Sequence, residues 1–233
     1  MSKINRDTIH NFSRHAAVIF LEELSVTDFI GPVIEEIVKF KGIHLIYDKI
    51  HDPEALGFST QKMNEKFIFI NSNFNERLQK FTIAHEIYHL DDNIDPLKNT
   101  KEDERAADHF AANLLLPEKI VFEKQRMLKS LGYDEIEIFF ILTDLSQVPY
   151  ETLYKRYKEL SLSVSKINKE LKKIVLSVED PYLKEIENKL QVLRKSWGIG
   201  GSHLDLASSK KRFESLEILS KSIAESEKEA PND

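Results

Sequence analysis

The chain has 233 residues, 41% of them hydrophobic, enough to bury a sizeable core and too many for a disordered chain. It contains no cysteine, which excludes a disulfide framework and thiolate metal ligation, so any metal must be held by histidines and carboxylates. A formal net charge of -6 argues against a broad nucleic-acid surface. The polar, charged first residues do not read as a secretory leader and no run approaches roughly 20 apolar residues, so the expected location is cytoplasmic with no membrane partner.

Residues 8–24 carry Ile9, Phe12, Ala16, Ile19 and Phe20 at spacings of three or four, the pattern of an amphipathic helix. A second helix is expected from Pro32, favoured at a first helical position, to Gly42, which suits a C-terminal cap. Residues 43–47 form a short strand, the stretch holding Asp52, Pro53 and Gly57 is rich in turn formers, and residues 67–70 form a second, buried strand ended by Asn71, Ser72 and Asn73. The next helix is expected to be capped by Asn73 with Glu76 three positions on, and to bury Leu78, Phe81, Ala84, Ile87 and Leu90. Thr100 with Asp103 repeats the capping pattern ahead of a helix that ends at Pro117.

Beyond Pro117 the pattern is helical throughout, with apolar stripes at 120–131, 136–145 and 153–160. Residues 145–160 have the length of a helix-turn-helix half without its usual glycine turn. Leu183, Ile186, Leu190, Leu193 and Trp197 form a two-heptad seam, residues 198–201 break it, and a last helix around 206–223 leads into a polar tail. The expected fold class is α+β, a small sheet with helices followed by an all-helical C-terminal region. Its expected divisions are an N-terminal helix at 1–26, a main domain at 27–162 with a helix-turn-helix-like end, a helical extension at 163–225 and a tail at 226–233.

His85-Glu86-Ile87-Tyr88-His89 is an H-E-x-x-H motif on a helix. Histidines at i and i+4 share one face and can converge on one ion, while the glutamate between them can act on water polarised by it. Catalytic zinc keeps three protein ligands and one open position, so a third ligand must lie downstream. Glu104, one turn into the next helix, is the best candidate, and Asp108, a further turn along the same face, is placed to accept the free ring N–H of a ligand histidine. Asp91, Asp92 and Asp95 compete for third ligand, although the metzincin pattern would need Gly at 92 and His at 95. Tyr88 could donate to an oxyanion or simply pack; His44, His51, His109 and His203 receive no role.

These residues resemble the ImmA/IrrE-type metallopeptidases of bacteria and their mobile elements. The likeness runs from about Asp28 to Leu162 and is concentrated in residues 81–89 (F-T-I-A-H-E-I-Y-H) and 104–117 (E-R-A-A-D-H-F-A-A-N-L-L-L-P). It implies zinc held by His85, His89 and Glu104, Glu86 as the base, a compact zincin-like core of the gluzincin type, and a regulatory protein substrate, often a DNA-binding repressor. Tyr88 replaces the small residue usual before the second histidine, which could narrow access to the metal, and Asp108 stands where asparagine is more common.

The resulting expectation is hydrolysis of a peptide bond in a specific cytoplasmic protein by water that Glu86 deprotonates, with residues 67–70 offering an exposed strand edge to an extended substrate. The alternative is a regulator that binds protein or DNA through its helical C-terminal half, with the metal structural or vestigial. The seam at 183–197 motivates that alternative, and it equally suits a homodimer.

Overall fold

The computed structural model describes residues 6–174 except Pro53, Pro96, Lys98 and Asn99. The seam at 183–197, the break at 198–201, the helix expected at 206–223 and the tail lie outside the described residues. These fall into two compact units, residues 6–121 with 146–148, and residues 122–145 with 149–174.

In the first unit, α1 (Arg6–Glu23) buries Ile9, Ser13, Ala17 and Phe20 and packs along α4 (Thr100–Leu115). The buried stripe is rotated from the one expected: Ile19 is exposed, while Ser13 turns inward because its hydroxyl donates to the carbonyl of Ala106 at 2.9 Å. A 3-10 turn (Gly31–Val33) leads into α2 (Ile34–Phe40), and Gly42 follows in the left-handed region, φ 71°, as its expected cap role requires.

The sheet has three strands, β1 (Ile43–Asp48), β2 (Gly57–Lys62) and β3 (Glu65–Asn71), in the order β1-β3-β2. β1 runs parallel to β3 and β2 antiparallel to it. Two expectations are corrected here. β2 is a strand that starts at Gly57, read as a turn former, and runs through residues to which no element was assigned, and residues 67–70, expected at an exposed edge, are the centre of the sheet. Ile68 and Ile70 are fully buried, and Asn71 at the strand's end stitches the preceding connection down: its side chain donates to the carbonyls of Ile50 and Ala55 and accepts from the backbone N–H of Ile50 and Asn73.

α3 (Glu76–Leu90) packs against β2 and β3 on one side and α4 on another. Its cap is Asn75 rather than Asn73: the Asn75 side chain accepts the N–H of Leu78 at 3.0 Å. With neighbours on several sides the helix is buried almost all round, so Thr82, Glu86 and Tyr88 are inside, whereas Leu78 and Phe81 are only half-buried. Phe110 of α4 anchors this layer, fully buried with Phe20 and Tyr88 at centroid distances of 6.1 and 5.7 Å.

The second unit takes α5 (Glu118–Ser130) from its second turn, then α6 (Glu135–Ser146) up to Leu145, α7 (Tyr150–Glu159) and α8 (Ser165–Ile174). A capping box starts α6, with Asp134 accepting the N–H groups of Ile136 and Glu137 while Glu137 accepts that of Asp134. Phe139 and Phe140 of α6 meet Tyr150 and Tyr157 of α7 in its core. The turn between these helices is made without glycine because Gln147 itself adopts φ 54°. Among the described residues no helix is long and apolar enough to cross a membrane.

Candidate metal centre

α3 projects His85 and His89 from one face, and their Nε2 atoms lie 3.3 Å apart. Glu104, in the first turns of α4, places Oε2 3.2 Å from Nε2 of His85 and Oε1 3.5 Å from Nε2 of His89. The three residues form a group whose ligand atoms are all within 4.8 Å of one another. Donors held 2.0–2.1 Å from a tetrahedral ion stand about 3.3–3.4 Å apart, so these spacings fit a small divalent cation. Glu104 is half exposed, which leaves the group open to solvent on its side.

Each ring faces a carboxylate with its other nitrogen. Nδ1 of His85 is 2.9 Å from Oδ1 of Asp108, and Nδ1 of His89 is 3.7 Å from Oδ2 of Asp103. Burial alone would lower the pKa of His85, but the hydrogen bond to Asp108 and the charges of Glu86, Asp108 and Glu104 outweigh it and raise the value. Glu86, next to His85, is itself buried at 7% exposure and near enough to act on that ring.

The model of the IrrE N-terminal-like domain, peptidase family M78, matches residues 39–158. The chain belongs to that family. No curated protein matches the chain in sequence. Among solved structures, a transcriptional regulator of Mycobacterium tuberculosis matches with a TM-score of 0.45 and 17% identity, over 64% of this chain and 49% of its own. This chain therefore spans about half the length of that protein.

Membership of M78 makes the chain one of a peptidase family that is typically metal-dependent, and the matched segment contains every residue of the His/Glu group just described. Two of the three competing acids of the connection have other partners: Asp92 accepts from Lys66 at 2.6 Å and Asp91 from the N–H of Asn93. His109 lies against His10 of α1, with ring centroids 3.6 Å apart, and His44 stacks on Phe67.

Of the two roles weighed for Tyr88, the structure shows packing: the residue is 1% exposed, its ring lies beside Phe12 and Phe110, and its hydroxyl donates to Asp103 at 2.9 Å. Asp103, considered only as a capping residue, accepts both that hydroxyl and the N–H of Leu97 on Oδ1 and turns Oδ2 to His89. No spacing rule singles it out, because its role depends on how α4 is rotated against α3.

Proposed function

We propose that the chain is a zinc-dependent endopeptidase of zincin-like core, with His85, His89 and Glu104 as metal ligands and Glu86 as the catalytic base. The observation that carries this reading is the convergence, at 3.2–3.5 Å, of two Nε2 atoms from the H-E-x-x-H helix and one carboxylate from α4 in an M78 chain. Zinc, when bound, acidifies a water towards a pKa of about 7 and stabilises negative charge on the scissile carbonyl oxygen.

The chain's own groups do the rest. The Glu86 carboxylate takes a proton from the attacking water and returns it to the nitrogen of the leaving amine. The surroundings that bury Glu86 hold the carboxylate in place and limit bulk water around it. The three acceptors of the ligand set leave the fourth side to solvent and substrate.

Of the two edge strands, β1 and β2, the one that packs against α3 is β2, and it is the edge offered to an extended substrate. Gly57 at its start lies close against Thr82, one helical turn before Glu86 on α3, so this strand adjoins the helix that carries the base. The substrate is a specific cytoplasmic protein, and a DNA-binding regulator is the kind that the resemblance to ImmA/IrrE-type enzymes suggests. Metal analysis of the purified full chain tests the reading: about one zinc per chain in the wild type, lost in His89→Ala and in Glu104→Ala. A wild type that takes up no zinc on reconstitution overturns it.

A further inference from the structure

The two histidines of the centre are supported unequally. Asp108, which supports His85, has its side chain more than half exposed at 62%, whereas Asp103 beside His89 is only 13% exposed and has Oδ1 occupied by two donors. Those donors are the Tyr88 hydroxyl at 2.9 Å and the Leu97 N–H at 2.8 Å. Two bonds to one oxygen fix the rotation of the carboxylate, and the fixed rotation leaves Oδ2 facing Nδ1 of His89 at 3.7 Å. That separation is an electrostatic contact, and a shift of about 0.7 Å would close it into a hydrogen bond.

Tyr88 is in turn held by packing: its ring is edge-on to Phe12 of α1 at 6.5 Å and lies beside Phe110 of α4 at 5.7 Å. It is the residue immediately before His89, so on the helix it projects away from the converging nitrogens. A buried tyrosine needs a partner for its hydroxyl, and here the partner is the carboxylate that meets the next residue's ring.

We propose that Asp103 is the positioning residue for His89, that Tyr88 acts through it, and that this buried pair sets the ring so that Nε2 is presented to the metal. The proposal rests on His89 being a metal ligand. Coordination through Nε2 requires the proton to sit on Nδ1, and an acceptor facing Nδ1 stabilises that tautomer and makes the ligand more basic. Tyr88 and Asp103 thus form one unit, in which the tyrosine orients the aspartate and the aspartate orients the histidine.

A purely structural role for Asp103, tying down the connection at Leu97, is separated by Asp103→Asn. The asparagine keeps Oδ1 for the Tyr88 hydroxyl and the Leu97 N–H, and changes only the atom facing His89 from an acceptor into an N–H donor opposed to the Nδ1 proton. Cobalt(II) serves as the probe on the full chain, its affinity measured by chelator competition and its geometry by the visible d–d bands, alongside thermal unfolding of the metal-free protein.

The expected result is that Asp103→Asn leaves metal-free unfolding at the wild-type temperature, weakens cobalt about 10- to 100-fold and alters the d–d bands. Tyr88→Phe, which deletes one oxygen, should weaken cobalt about 2- to 10-fold, the value of a single hydrogen bond. Combined with Asp103→Asn it should add nothing, because it acts through the same carboxylate.

Cobalt affinity and bands unchanged in Asp103→Asn, with binding lost in His89→Ala, overturn the proposal while leaving the metal centre standing. If Asp103→Asn does not fold, an unchanged cobalt affinity in Tyr88→Phe overturns it equally. Equal binding by wild type and His89→Ala removes His89 from the centre, and the proposal falls with it.

Discussion

Oδ1 of Asp108 lies 2.9 Å from Nδ1 of His85, on the edge of the ring opposite the Nε2 that faces Glu104. Residues 104 and 108 are one turn apart on α4, so one helix face supplies both the carboxylate beside Nε2 and the carboxylate that fixes the ring. Asp108→Ala should therefore weaken zinc by about 10- to 100-fold. Asp108→Asn should retain most of the affinity, since this side chain has a free oxygen to turn towards the ring and asparagine's carbonyl can still accept. Competition with a chelator of known zinc affinity checks both, and equal losses in the two variants would show that charge, rather than hydrogen-bond acceptance, is what His85 needs.

Glu86 is buried and adjacent in sequence to a ligand without belonging to the converging set. Glu86→Gln preserves size and polarity while removing the basic oxygen, so zinc content should stay at the wild-type level. Hydrolysis of the cognate protein should fall by about 10²- to 10⁴-fold, the usual contribution of general base catalysis. Cleavage at the wild-type rate by zinc-loaded Glu86→Gln would assign the base elsewhere.

The close approach at Gly57 joins the sheet to the helix of the H-E-x-x-H motif. A Cβ there would stand 2.5 Å from the carbonyl oxygen of Phe69 and 2.8 Å from Cγ2 of Thr82, and the first of these is backbone that cannot swing away. Gly57→Ala should destabilise the protein by about 1–3 kcal/mol, the range for overpacking in a filled core. Urea denaturation measures it, and an unchanged midpoint would mean that β2 shifts freely against α3.

The metal helix and its partner were legible in the sequence because their information is local: i, i+4 histidines, a following capped helix, and a glutamate and an aspartate one turn apart on it. β2 was not. Phe-Ser-Thr-Gln-Lys follows turn formers and is largely polar, since an edge strand exposes most of its positions, so neither a buried run nor a clean alternation marks it. Without β2 in view, residues 67–70 looked like an edge, although the continuous apolar character of Phe67, Ile68, Phe69 and Ile70 fits the central strand that they form. Asn75 and Asn73 both satisfy the composition rule for a cap, and only the backbone of the turn decides between them. Asp103 illustrates a different limit, for its three contacts come from the azimuth of α4, which tertiary packing sets.

A last prediction concerns a buried charge on α3. Lys80 is 8% exposed and donates to Oε1 of Gln147. Burial lowers its pKa from 10.5, against the opposing pull of Glu35, Glu76 and Glu36. Between the lowered folded value and 10.5 the unfolded chain holds more protons at this position than the folded one, so this lysine makes unfolding free energy rise with pH across that window. Lys80→Met has no such proton to release, and it also leaves Gln147 without its donor, which is a constant offset. The stability of wild type minus that of Lys80→Met, from urea denaturation at several pH values, should therefore increase on moving from neutral pH towards 10.5. A difference that stays flat would mean that Lys80 reaches water in the folded state, and a difference that falls would mean that the three glutamates hold its proton more firmly than burial expels it.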